Sequence, residues 1–246
     1  MKPFLSVIIP AYNEAKRLPL TLIDVDRILS AADYSSEVII VDDGSTDNTR
    51  RIVHEFSRVM SNLRLIENEG RHGKGWVVRQ GMLTAKGNWR LFMDADNSTS
   101  LSHFSPMIPF LKDGYGVFIC SRRLKGSSMK PPQSFLKRTL GRVGNLIIQA
   151  MVLKGLWDTQ CGFKCFSEEA TERIFRRSRT DGLGFDVEAL VVARMLGYNI
   201  KEIPVQWINN PHSKVRAVDY FKTLFEVSRI YWRRRRGAYG ADAKAA

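Results

Sequence analysis

Apolar residues along the first half of the chain switch between two periods. Short β-branched runs at LSVIIP (5–10), EVIIVDD (37–43), LRLIEN (63–68) and WRLFMDAD (89–96) have the length and composition of buried strands. Helical spacing fills the intervals. Leu18, Leu22, Val25 and Leu29 share a face within 14–31. Ile52, Val53, Phe56 and Met60 do so within 45–60, which opens on Ser, Thr and Asp capping signals. Residues 73–87 continue the series as a helix behind a glycine-rich turn. This alternation predicts βαβ units and an α/β fold, a mainly parallel, Rossmann-like sheet flanked by helices.

The second half is less regular. GVFICSRR (116–123) predicts a strand running into a basic loop, and 124–133 a Gly/Ser/Pro linker. A helix is expected over 134–153, with Leu136, Leu140, Val143, Ile147 and Ala150 on one face and Lys137, Arg138 and Arg142 in its first turns. CGFKCF (161–166) is strand-like, 167–177 a capped helix, 185–197 a helix and 200–208 a strand. A last helix, 217–236, carries Tyr220, Phe221, Leu224, Phe225 and Val227 and ends in YWRRRR. Residues 237–246 read as a flexible Ala/Gly-rich tail. MKPFLSVIIP is too short for a signal-peptide core plus cleavage site and reads as the first strand. No segment reaches the ~20 apolar residues of a bilayer span.

In such sheets ligands bind outside the carboxyl ends of the strands. Those ends carry Pro10 to Glu14, Asp42-Asp43 and Asp94-Ala95-Asp96, so polar residues of three strands converge on one edge. On a strand, Asp94 and Asp96 point to the same face. At ~5 Å and an effective dielectric of ~20 they repel by roughly 3 kcal/mol, which a divalent cation relieves. Mg²⁺ and Mn²⁺ suit one or two carboxylates completed by substrate phosphates. The residues alone also allow Asp96 to cap the following turn while Asp94 is merely exposed. GRHGKGW (70–76) lacks the Ser or Thr after Lys74 that a P-loop requires, yet leaves a basic turn able to meet phosphate.

Charge divides the chain. The net charge is +13; residues 1–120 hold 14 Lys/Arg and 14 Asp/Glu, so all of it falls on 121–246. A basic second half faces something anionic, whether nucleic acid, a membrane surface or a phosphorylated substrate. Nucleic acid explains the charge but not the acid-terminated strands, which repel phosphate, and no nucleic-acid motif is present. A nucleotidyltransferase would also use paired acids, but no further basic glycine-rich signature accompanies them. The three cysteines, Cys120, Cys161 and Cys165, form no CxxC and read as buried free thiols, consistent with a reducing compartment.

The ordered set VIIPAYNEAKRL, IIVDDGSTDNT, GKG, DAD, DTQCGFKCF (158–166), FDVE (185–188) and HSKV (212–215) resembles inverting family-two glycosyltransferases of GT-A type. Within them it is similar to the dolichyl- and polyprenyl-phosphate sugar synthases, and RHGKG with DTQCGFK to the β-glucosyl branch. The resemblance spans roughly residues 4–236. It implies a single GT-A domain over 1–236, with 1–120 the nucleotide-sugar half and 121–236 the acceptor and membrane-interface half. It implies transfer of a hexose, UDP-glucose favoured, to a polyprenyl or dolichyl phosphate with Mg²⁺ or Mn²⁺. The implied setting is peripheral, on the cytoplasmic face of a membrane with an anionic surface.

Position by position, the resemblance places Pro10, Tyr12, Glu14 and Asp43 at the nucleoside, with Lys74 also on the nucleotide-sugar. It puts Asp94 and Asp96 at the metal and diphosphate, and Lys214 at the diphosphate from a loop. Arg122 is placed by the acceptor phosphate with Lys137, Arg138 and Arg142, and Asp158 near the reaction centre. The mannosyl branch's arginine upstream of the loop lysine is missing from WINNPHSK. A GDP-mannose donor and a saccharide acceptor are the alternatives within the fold. Helices 134–153 and 217–236, each apolar on one face and basic on another, suit lying in a membrane interface.

Overall fold

The computed structural model describes residues 1–131, 135–209 and 217–240. In chain order the elements are β1 (Leu5–Ala11), α1 (Leu18–Ser30), β2 (Ser36–Asp42), α2 (Thr49–Phe56), β3 (Leu63–Glu67), α3 (Lys74–Thr84) and β4 (Trp89–Met93). A 3₁₀ segment (Leu101–Phe110) precedes β5 (Tyr115–Ser121), β6 (Ser128–Lys130) and α4 (Phe135–Met151). Then come β7 (Phe163–Ser167), α5 (Glu168–Phe175), α6 (Phe185–Met195), β8 (Asn199–Pro204), β9 (Gln206–Ile208) and α7 (Ala217–Arg235).

Seven strands form one sheet in the order β3-β2-β1-β4-β7-β5-β8, parallel except for β7, which pairs antiparallel with β4 and β5. Strand alternation builds a core on each face. Ile8, Ile39 and Val41 pack with α3, α5, α6 and α7, while Val7, Ile9, Val38 and Ile40 meet α1 and α2 from the other side. β1 is buried throughout, as a central strand covered on both faces must be.

Several expected boundaries move for local reasons. The strand expected over 89–96 stops at Met93, so Asp94 and Asp96 lie in the following turn, not on one strand face. There Asp96 Oδ1 accepts the Ser98 N–H at 3.0 Å, and Asn97 takes a positive φ of 52°. The helix expected from 14 starts at Leu18, with Pro19 in its first turn; residues before it form the Glu14–Arg17 loop. The helix expected from 45 starts at Thr49, because Asn13 Oδ1 draws the Thr46 and Asp47 N–H groups into a loop against β1. The linker 124–133 contains β6, and the strand 200–208 divides after Pro204: β8 pairs with β5, whereas β9 pairs with β6.

The two late helices are amphipathic, but their exposed sides are not where a simple core stripe puts them. In α4 the buried residue is Ile148, while Val143 and Leu146 are exposed; the side chains of 135–137 and 140 lie outside the described residues. In α7, Val227 and Ile230 face the core, whereas Phe221 (68% exposed), Phe225 (65%) and Trp232 point outward. The tail expected from 237 does not hold for 237–240. Tyr239 is buried and its hydroxyl donates to Glu188 Oε1 at 2.8 Å. Among the described residues no helix is long and apolar enough to cross a membrane.

Candidate active site

The carboxyl ends of β1, β2, β4 and β5 share one edge of the sheet, and the predicted residues gather along it. After β1, Glu14 is buried and meets Arg17 through two ion-pair hydrogen bonds of 2.5 and 2.7 Å. Arg17 also reaches Asp96 Oδ2 at 3.3 Å, which joins the β1 and β4 loops. The Arg71 guanidinium stacks 4.3 Å over the Tyr12 ring. Pro10 is a buried residue of β1 itself. Asp43 turns its carboxylate onto the glycine-rich turn, accepting the His72 and Gly73 N–H groups at 2.7 and 3.0 Å. That fixes the entry to α3, where Gly73 adopts φ 110°, a conformation closed to most side chains.

Lys74, the first residue of α3, places Nζ 2.6 Å from Asp94 Oδ1. Burial works against its charge, but Asp94 and Asp186 outweigh burial and raise its pKa. Asp94 sits directly over Gly162: its N–H donates to the Gly162 carbonyl at 3.1 Å, and a Cβ at 162 would overlap the Asp94 carboxylate. Asp96 ionises above the ordinary carboxylate range, first because it is buried and then because Asp94 is beside it. Asp96, whose charge burial and the neighbouring Asp94 disfavour, fits with Asp94 as a pair of oxygen ligands for a divalent cation that substrate phosphates complete. Among the described residues no group of three or more candidate metal ligands forms.

Beyond β5 the roles reverse. Asp158 is buried and both its oxygens are taken by Arg122, at 2.7 Å from Nε and 2.8 Å from Nη2, with the Arg122 N–H adding a third bond at 2.8 Å. Burial raises the Asp158 pKa, but Arg122 more than reverses this and holds it below the usual range. An ionised carboxylate so occupied is a clamp for the arginine, not a proton acceptor. Arg122 also lies 5.4 Å from the Trp207 ring centre.

Sequence reasoning missed four contributors. Arg123 ionises below its usual range, through burial and then through the like charges of Arg122, Arg142 and Arg138, partly offset by Asp158. Arg123, just after β5, thus feels charge from two arginines of α4. Arg17 links Glu14 to Asp96; its sequence signal was only a cation within the matched AYNEAKR stretch. Lys164 and Asp186, from GFK and FDVE, form a buried pair at 2.5 Å, and Lys164 also donates to the Cys161 carbonyl. Nothing in their spacing announces the pair, since it joins β7 to α6. Lys214 lies outside the described residues. Lys137 lies in the first turn of α4, but its side chain is likewise outside them. Arg138 and Arg142 are exposed. A cleft of about 310 Å³ between the ends of α4, α6 and α7 shares no residue with this edge; there Arg194 and Arg234 donate to the carbonyls of Lys154 and Val152.

The profile of glycosyl transferase family 2 matches residues 6–175. The chain belongs to glycosyl transferase family 2. Among relatives of this glycosyltransferase, the dolichyl-phosphate beta-glucosyltransferase of Dictyostelium discoideum is 36% identical over 224 residues, covering 86% of this chain and 68% of the other. That of Saccharomyces cerevisiae is 34% identical over 242 residues, covering 89% and 71%. Solved structures share the fold. Glucosyl-3-phosphoglycerate synthase from Mycobacterium tuberculosis with UDP superposes with a TM-score of 0.64 at 18% identity, covering 98% of this chain and 82% of that one. A mannosyltransferase from Pyrobaculum calidifontis with GDP-Man and Mn²⁺ gives 0.58 at 21% identity, covering 92% and 65%.

Proposed function

We propose that this glycosyltransferase moves glucose from UDP-glucose to a dolichyl or polyprenyl phosphate, inverting the anomeric centre. The observation that carries the reading is the two-point Arg122–Asp158 pair, with Arg123 beside it in the like charge of Arg122, Arg142 and Arg138, on the edge that holds Asp94 and Asp96. Guanidinium groups so placed fit a phosphate acceptor better than a neutral sugar hydroxyl. The relatives named for dolichyl-phosphate glucosylation support the same acceptor, since 86% and 89% coverage of this chain carries their similarity into the basic half.

A phosphate oxygen is already anionic near neutral pH, so the acceptor needs no strong base. The acceptor oxygen forms a bond to the anomeric carbon as the bond to the UDP oxygen breaks on the opposite face. Arg122, held rigid by Asp158, positions the acceptor together with Arg123, Arg138 and Arg142. Pro10, Tyr12, Glu14 and Asp43 frame the nucleoside loop, and Lys74, beside Asp94, serves the diphosphate; Lys214, assigned to the diphosphate by the resemblance, lies outside the described residues. Asp94 and Asp96 would hold Mg²⁺ or Mn²⁺, whose chemistry is to neutralise the departing diphosphate. The neighbour solved with Mn²⁺ supports a divalent ion.

In this reading residues 1–120 serve the donor and 121–236 the acceptor. The outward Phe221, Phe225 and Trp232 of α7 and Val143 and Leu146 of α4, interleaved with Arg142, Lys222 and Arg229, rest on an anionic membrane surface. The proposed place is peripheral, on the cytoplasmic face. The test is incubation with polyprenyl phosphate, Mn²⁺ and either UDP-glucose or GDP-mannose, followed by lipid extraction and NMR of the anomeric proton. β-Linked glucose in the lipid, from UDP-glucose alone, is expected; mannose incorporation or an α-linkage would overturn the donor or the inversion.

A further inference from the structure

Lys74 stands where the proposed metal site and the glycine-rich turn meet, and its setting is more specific than phosphate contact alone demands. Its Nζ is 2.6 Å from Asp94 Oδ1, and the same ammonium lies 5.8 Å from the Phe185 ring centre. The backbone that delivers it is fixed at three points. Asp43 binds the His72 and Gly73 N–H groups, Gly73 holds φ 110°, and the Gly75 N–H donates to the Asp181 carbonyl at 2.8 Å. Asp94 is equally fixed by its seat on Gly162. The contact is thus set by two anchored segments, unlike a loose surface pair.

Behind it, the buried Lys164–Asp186 pair at 2.5 Å leaves a second carboxylate in the field of Lys74. Lys164 is wholly buried and already engaged by Asp186 and the Cys161 carbonyl, so it cannot take over Asp94. The proposed site therefore has a built-in positive charge on one of the two carboxylates that a divalent cation would need. An ion arriving alone must displace that ammonium. An ion arriving with a nucleoside diphosphate meets no such cost, because the diphosphate replaces Asp94 as the partner of Lys74 at the α3 N-terminus.

We propose that Lys74 is an internal counter-ion that holds Asp94 against the divalent metal until the donor diphosphate binds, making metal and nucleotide bind together. The inference rests on the Asp94/Asp96 metal site proposed above. Lys74 is then a positioning residue for the metal as well as a donor contact, and its removal has a sign that loss of structure cannot imitate: tighter metal binding in the absence of nucleotide.

The test is Mn²⁺ binding to the full chain by electron paramagnetic resonance, without and with UDP, on wild type, Lys74→Met, Lys74→Gln, Lys74→Arg and Asp96→Asn, each checked for folding by circular dichroism. Without UDP, Lys74→Met and Lys74→Gln are expected to bind Mn²⁺ roughly tenfold more tightly than wild type, and Lys74→Arg like wild type. UDP should tighten Mn²⁺ binding to wild type far more than to the Met and Gln variants. Unchanged or weaker Mn²⁺ binding in both neutral variants, while Asp96→Asn loses the ion, overturns the counter-ion role and leaves the metal site standing. Wild-type Mn²⁺ binding in Asp96→Asn overturns the metal site itself, and the inference with it.

Discussion

At the ends of β1 and β4, acids are matched by cations from within the chain: Glu14 and Asp96 share Arg17, and Asp94 holds Lys74. Beyond β5 the balance is reversed: Arg122 holds Asp158, and Arg123 stands in the like charge of Arg122, Arg142 and Arg138. The first region sets two cations, Arg17 and Lys74, against three acids, Glu14, Asp94 and Asp96. In the second region arginines predominate, which suits an anionic substrate. In the proposed function this difference separates the two substrates. The donor, with its metal, exchanges partners inside an acidic socket that holds its own cations, and the acceptor phosphate supplies negative charge to the basic region.

The contrast can be broken most severely on the acid side. Asp96→Asn with Mn²⁺ and UDP-glucose is expected to lower turnover by about 10³-fold; near-normal turnover would remove Asp96 from the metal site. Next in size is the buried pair beneath the site. Lys164→Met strands Asp186 without its partner and is expected to cost about 3–5 kcal/mol in urea unfolding, and a loss below 1 kcal/mol would mean that the pair is not buried in solution.

On the basic side the effects are smaller and should select for the acceptor. Arg123→Ala is expected to raise the KM for polyprenyl phosphate roughly tenfold and leave UDP-glucose affinity unchanged, as removal of one charge-assisted phosphate contact does. An equal loss of donor affinity would dissolve the division. Asp158 supplies a pH test. Its folded pKa is depressed, so the Arg122 pairing contributes fully above the unfolded carboxylate value of about 4 and is lost as pH falls through the folded value. The stability gap between wild type and Asp158→Asn should be widest near neutral pH and close on acidification; a gap independent of pH would contradict the pairing. Smallest in stability is Phe225→Glu on the outward face of α7. It is expected to shift unfolding by less than about 0.5 kcal/mol, yet to reduce flotation with anionic liposomes at low salt.

Much of the frame was legible before the structure. The β-branched runs and helical stripes located β1 to β4 and α1 to α3, because burial on both sheet faces leaves a strong periodic signal. The strand-end acids were legible for the same reason. The reason first given for Asp94 and Asp96 was not correct: they adjoin through a turn closed by Ser98 and Asn97, not through strand alternation. β7 was visible as strand-like, but its antiparallel insertion between β4 and β5 depends on long-range pairing that has no local signal. Arg123 escaped for a similar reason, since its partners come from α4. Tyr239 escaped because an Ala/Gly-rich stretch gives no hint that one aromatic will reach Glu188.

The most direct test of the division between donor socket and acceptor patch is a competition among acceptors. Labelled UDP-glucose and Mn²⁺ would be supplied together with polyprenyl phosphate in anionic vesicles, free phosphoglycerate and a soluble oligosaccharide. The prediction is that the label enters the extractable lipid and that Arg123→Ala lowers this incorporation. Label found chiefly in phosphoglycerate or oligosaccharide would contradict the account.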